Sequence, residues 1–170
     1  MSATVYFQEF NGAAGTPTAK HSESIRFKSA DSPVPDTLDK LIRPGGGVFR
    51  SYEKYLRPRL EALGGSASIS NVEMFTTDVS PDAGFAVYAK TAAAYAVPLA
   101  GGYEAAGEMV GPKGSLFSYT ASNPLTLGAG PFAAPGDIGD FAVLQAEVYP
   151  SADVTATPNY SLVLRYDEAV

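Results

Sequence analysis

Eighteen carboxylates and twelve cations share this 170-residue chain with a single histidine and no cysteine, so the side-chain chemistry open to it is narrow. His21 stands in a polar stretch between Lys20 and Glu23 with no triad-like context, and it is expected to be a solvent-exposed loop residue, not a general base. Without cysteine or a second histidine, a zinc site built from the usual ligands is excluded. The turn TTDVSPDAG puts Asp78 and Asp82 where carboxylate oxygens could meet a calcium ion, but it lacks the regular acidic spacing of a dedicated calcium loop. Asp137 and Asp140 in GDIGD read as a turn entering a strand. Carboxylate pairs could serve a glycosidase, yet neither pair has aromatic and amide residues clustered around it. PGGGV, at 44–48, has no Lys-Ser/Thr after it and no strand-to-helix context, so it reads as a flexible turn and not a phosphate loop. No catalytic residue, cofactor or metal ligand is assigned, and the chain is expected not to be an enzyme.

Charge is unevenly distributed. Residues 1–59 carry a formal +3 and residues 60–170 a formal −9, which together make the net −6. This acidity argues against nucleic acid as the main partner. Six cations, Lys40, Arg43, Arg50, Lys54, Arg57 and Arg59, nevertheless fall within twenty positions. They read either as a strand face balanced by acidic strands of the same domain or as a patch that docks on an acidic protein surface.

The elements that must position these residues are strands. Period-two alternation recurs at 4–10, 24–29, 68–76, 84–90, 140–149 and 160–168, separated by turn signals such as NGAAGTP, RPGGG, LGGS and SPDAG. In the last run Tyr160, Leu162, Leu164 and Tyr166 share one face, with Ser161, Val163, Arg165 and Asp167 on the other. SYEKYLRPRLEALGG has apolar residues at helical spacing, but Pro58 in a helix interior would cost about 3 kcal/mol, so an extended segment on a sheet edge or at a bulge is expected. Extended, it puts Lys54, Leu56, Pro58 and Leu60 on one face and Tyr55, Arg57 and Arg59 on the other, with Lys54 snorkelling past its neighbours. One short helix is allowed at PDTLDKLIR, 35–43. The Ala/Gly/Pro-rich stretch at about 91–135 is expected to hold short extra strands or to form an excursion. These expectations add up to an all-β chain: one antiparallel β-sandwich or jelly-roll domain over 1–170, with long loops and at most one short helix. No run of about 18 apolar residues and no secretory leader is visible, so a soluble protein with no membrane partner is expected. The lack of cysteine fits folding in a reducing cytoplasm.

In order along the chain, EFNGAAGTPT, IRFKSAD, SYEKYLRPRLEALGGSASISNVEMFTTD, TASNPLTLGAG and FAVLQAEVYPSADVTATPNYSLVLRYDE make a series that resembles small virion structural proteins of tailed bacteriophages. The resemblance covers most of the chain except about 91–115, and it departs at DVSPDAGFAVY, where many relatives carry a strand with Trp and Gly. It implies a capsid decoration, or cement, protein made in the host cytoplasm and residing on the virion surface. Its partner would be the major capsid protein, and self-association, a trimer being one form, would be expected. It transfers no catalytic residue. Within this reading Arg43, Arg50, Lys54, Arg57 and Arg59 are the candidate capsid contacts, and 91–115 projects or wraps around a neighbour. A tail or head-to-tail connector component and a carbohydrate- or receptor-binding module using exposed Tyr residues stay open as alternatives.

Overall fold

In the computed structural model, which describes residues 2–12, 15–21, 24–99, 102–103, 107–153, 155 and 158–170, five of the six alternating runs are strands. They are β1 (Thr4–Glu9), β5 (Ser68–Thr76), β6 (Phe85–Ala92), β10 (Phe141–Val148) and β11 (Leu162–Ala169). Six more complete the set: β2 (Thr18–Lys20), β3 (Phe49–Arg50), β4 (Lys54–Ala62), β7 (Gly114–Ser115), β8 (Leu125–Gly128) and β9 (Gly136–Asp137). All pair antiparallel, and they form two sheets. Sheet A runs β2-β1-β4-β10-β6-β7, with β3 on the end of β10 and β9 on the end of β4; sheet B runs β11-β5-β8. This is the expected all-β sandwich.

The core lies between the sheets. Phe7, Leu56, Leu60, Leu144 and Val87 of sheet A face Val72 and Met74 of β5, Leu125 and Leu127 of β8, and Leu162 and Leu164 of β11. Ile69 joins them although it is three residues from Val72, an odd spacing that simple alternation would send outward. The reason is a bulge: β5 takes three steps from Ser70 to Glu73 where β11 takes two from Asp167 to Arg165, and Asn71 there adopts φ 50°.

Pro58 sits in the middle of sheet A, not on its edge, because the strand beside it changes at that point. On one side Pro58 pairs with Phe7 of β1; on the other, β10 pairs with residues 54–56 and β9 with 59–60. The Pro58 carbonyl faces this junction and accepts the Ile138 N–H at 3.0 Å. A missing N–H on that same side therefore leaves no ladder partner unsatisfied.

One expected strand and the one allowed helix are absent for local reasons. SIRFKS, 24–29, is coil and joins no sheet. PDTLDKLIR is a series of bends: the Asp36 carboxylate accepts the Leu38 N–H at 2.9 Å, and Asp39 takes φ 52°, so the chain turns before a helix can propagate. The described residues contain no α-helix, only short 3₁₀ turns such as Gly107–Val110 and Leu116–Ser118.

Part of 91–115 is anchored to the sandwich. It folds across the outer face of sheet A, where Tyr95 and Met109 pack on Tyr55, Phe141 and Val143 in a second apolar cluster. The Tyr95 ring lies 5.2 Å from that of Tyr55, edge to face, and Phe10 meets Phe141 at 5.1 Å in the same manner. Covered on both faces, β10 is buried along its whole length. Residues 100, 101 and 104–106 of this stretch lie outside the described residues.

Candidate functional site

The five candidate contact residues do not form one patch. Lys54 is fully buried, so it contacts no partner and does not snorkel. Its ammonium lies 2.7 Å from Glu9 Oε1 and donates to the Ser32 carbonyl at 2.6 Å. Lys20 Nζ stands 3.5 Å from the other Glu9 oxygen and donates to the Pro33 carbonyl at 2.8 Å. One buried carboxylate thus holds two buried ammonium groups, and both of them bind the coil that crosses sheet A at 28–36. Burial lowers the Lys54 pKa, with Glu9 opposing that effect. Sequence reasoning missed this cluster, yet its signal was present: Glu9 shares the apolar phase of Val5 and Phe7, and Lys54 that of Leu56 and Leu60. A charge on the buried phase of each of two strands is the mark of an internal ion pair.

The other candidates are tied to their own chain to different degrees. Arg50 bonds Glu147 at 3.1 Å and the Tyr103 carbonyl at 2.6 Å, which holds residues 102–103 against β3. Arg57 donates to the Gly139 carbonyl and lies 5.1 Å over the Phe141 ring, while Arg59 pairs with Asp137 at 2.9 Å. Arg43 is exposed on the coil and makes one 3.3 Å bond, to the Ala152 carbonyl. Arg50, Lys54 and Arg59 thus follow the first of the two readings of the basic segment, pairing with acidic residues of the same domain.

The acidic candidates are also held in the fold. Asp78 accepts from the Thr76 hydroxyl at 3.1 Å and from the Ser161 N–H at 2.6 Å, and Asp82 is bonded to the Tyr160 hydroxyl at 3.1 Å. These contacts fasten the turn after β5 to the start of β11. Among the described residues no group of three or more His, Asp or Glu side chains is placed to hold a metal ion. No helix among them is long and apolar enough to cross a membrane. His21 is exposed, its ring 4.0 Å from that of Tyr6; Glu23 lies outside the described residues.

Glu147 supplies a test of the electrostatics around β10. Burial pushes its pKa up, but Lys113, the Tyr149 hydroxyl and Arg50 together hold it below the usual glutamate range. A carboxylate with a depressed folded-state pKa stabilises the fold above the ordinary value, and that contribution is lost as the pH falls through the depressed one. Glu147→Gln is therefore expected to be less stable than the parent at neutral pH. The gap should close as pH drops from about 5 toward 2; urea titrations of both proteins across that range measure it.

A cleft of about 1260 Å³ lies beside β11. Phe7, Leu144 and Ala146 of sheet A form its floor, Leu162 and Leu164 of β11 one wall, and Ile25 and Phe27 of the coil another. His21, Arg26, Lys40 and Arg43 stand at its mouth, all exposed. Arg26 and Lys40 make no ion pair or hydrogen bond among the described residues. Asp153 also lines the cleft, but its carboxylate accepts the N–H and hydroxyl of Thr155, both at 2.8 Å. The same coil exposes Val34, Leu38 and Ile42, at 50%, 67% and 58%. Apolar side chains left in water next to unpaired cations are the composition of a docking surface. Comparison of the chain with protein-family models, with curated proteins and with solved structures finds no match to any of them.

Proposed function

We propose that this protein is a structural component of a bacteriophage particle, a decoration protein that sits on the outer face of the capsid lattice and bridges neighbouring major capsid subunits. The resemblance to small virion proteins is the starting point. The single observation that carries the reading further is the cleft and the coil that borders it: the coil at 24–43 exposes Val34, Leu38 and Ile42 and also carries Arg26, Lys40 and Arg43, which line the cleft. A protein whose buried charges fasten its own loops, and whose free cations gather around an apolar recess, is built to dock. Contacts of this kind across subunit seams would stabilise an assembled shell by mass action, since they form only with the shell intact. The contact set is then Arg43 with Arg26 and Lys40; Lys54 is excluded by its burial, and Arg50 by its tie to Glu147.

The test is occupancy. Quantitative mass spectrometry of purified particles of the phage that encodes the chain should find it in hundreds of copies. Added to particles that lack it, the protein should bind at moderate salt, and the exposed double variant Lys40→Glu/Arg43→Glu should bind severalfold less. A handful of copies confined to the tail would favour the connector reading. Absence from particles, or binding to isolated glycans at micromolar strength, would replace the proposal altogether.

A further inference from the structure

We infer that the cleft beside β11 is a strand-acceptor site, which takes an extended acidic segment of a partner protein with apolar side chains at every second position. Three observations converge on it. The first is an unused edge: β11 pairs with β5 on one side, and no described strand pairs with the other. An unpaired edge presents a row of backbone donors and acceptors that another strand can complete.

The second is the apolar surface next to that edge. Sheet B sets three strands against the six-strand path of sheet A; at the base of the cleft Phe7, Leu144 and Ala146 are buried, and half-buried Val5, Leu162 and Leu164 line it above them. Sheets pack about 10 Å apart and neighbouring strands about 4.8 Å, so one more strand beside β11 would meet these half-buried side chains. The space, at about 1260 Å³, exceeds the roughly 300–1,000 Å³ of sites for compact small molecules. Ile25 and Phe27 bound it on the coil side, in a segment with the alternation of a strand but no ladder partner. A single inserted strand would cover their side chains as well.

The third is charge. A strand with its apolar residues turned into the cleft presents the alternate residues outward, toward the mouth, where Arg26, Lys40 and Arg43 stand without an ion pair. Lys20, deeper in the wall, already has Glu9 as a partner, and Asp153, bonded to Thr155 but still charged, offsets one of the three exposed cations. The net field at the mouth is therefore positive, and acidic residues complement it. A second copy of this chain is a poorer fit: the strand that it would offer, β11, has Arg165 and Asp167 already bonded to Glu73 and Asn71 on their outer face. The inference rests on the proposed function only for the origin of the segment, a neighbouring subunit of the particle.

The site can be tested without particles. A nine-residue peptide alternating Leu or Val with Glu or Asp, labelled at one end, is titrated with the whole protein, alongside the same peptide carrying Lys for each acid. The acidic peptide should bind, lose affinity with added salt, and slow hydrogen exchange at the amides of β11. Arg26→Glu/Lys40→Glu/Arg43→Glu, all exposed positions, should weaken it about tenfold without changing the thermal transition. Should that variant unfold, the salt dependence and the exchange pattern of the parent protein still decide. No binding, equal binding of the Lys peptide, or protection away from β11 overturns the inference. So does concentration-dependent dimerisation that protects β11, which would make a second copy the occupant, or uptake of oleate in preference to the peptide. Failure of the peptide leaves the capsid reading to its own occupancy test, and absence from particles leaves the acceptor site standing.

Discussion

Lys54→Ala is expected to be among the most damaging single changes in the molecule, with a loss of about 3–5 kcal/mol of folding stability. The lysine is wholly buried with its ammonium on Glu9, and removing it leaves a buried carboxylate facing Lys20 alone across 3.5 Å. It also leaves the Ser32 carbonyl without its donor. In urea, where domains of this kind lose about 1–3 kcal/mol per molar, the midpoint should fall by roughly 1–5 M. Glu9→Ala should cost at least as much, because it removes the charge that both ammonium groups share. The triple variant Glu9→Met/Lys20→Met/Lys54→Met, which removes all three charges of the cluster, should recover a large part of the loss, since apolar replacement of a buried ion group is often neutral. A surface role for Lys54 predicts the opposite pattern, with little effect of either single change on the midpoint. Hydrogen exchange adds a second reading: in Lys54→Ala the coil at 28–36 should open first, because the Lys54 and Lys20 ammonium groups bond its carbonyls.

What the sequence made legible is tied to the period of two. Where one face of a segment is buried and the other is not, alternation locates the strand and its inward side, as it does for Tyr160, Leu162, Leu164 and Tyr166 in β11. It cannot say which strand lies alongside, and that is why Pro58 was expected at an edge: its tolerance depends on a change from β10 to β9 that belongs to tertiary pairing. SIRFKS carries the same alternation as β11 and buries Ile25 and Phe27 in part, yet it meets no partner strand. Alternation records burial of one side, and a coil lying on a sheet satisfies it as well as a ladder does. The contact residues were misplaced for a related reason. Clustering along the chain ignores the face on which each side chain stands, so buried Lys54 was grouped with exposed Arg43. The cleft itself has no local signature, since its walls come from β1, β10, β11 and the coil, and only the fold brings them together.

Gly84→Ala is expected to destabilise by about 3 kcal/mol or more, because two costs of different origin meet at one atom. Gly84 has φ 80°, where a side chain costs about 1–2 kcal/mol. A Cβ built there would also lie 2.3 Å from the Ala152 Cα and N, and 2.8 Å from the Ser151 carbonyl carbon. Backbone cannot swing aside as a flexible side chain can, so relief requires moving the turn at 149–152, and overpacking of this kind costs about 1–3 kcal/mol. That turn is itself anchored to the same glycine, whose carbonyl accepts the Tyr149 N–H at 2.9 Å. Gly45→Ala and Gly111→Ala are the matched controls: nothing stands within 4 Å of a Cβ at either position. They should be neutral or gain a few tenths of a kcal/mol from a stiffer unfolded chain. Thermal and urea unfolding of the three variants separate the two outcomes, and equal midpoints would refute the close packing of Gly84 on Ala152. Because Ala152 lines the cleft and its carbonyl holds Arg43, a displaced 149–152 turn also moves one wall of the acceptor site. At temperatures where Gly84→Ala is still folded, its affinity for the acidic peptide should therefore fall along with its stability, while the two controls retain both.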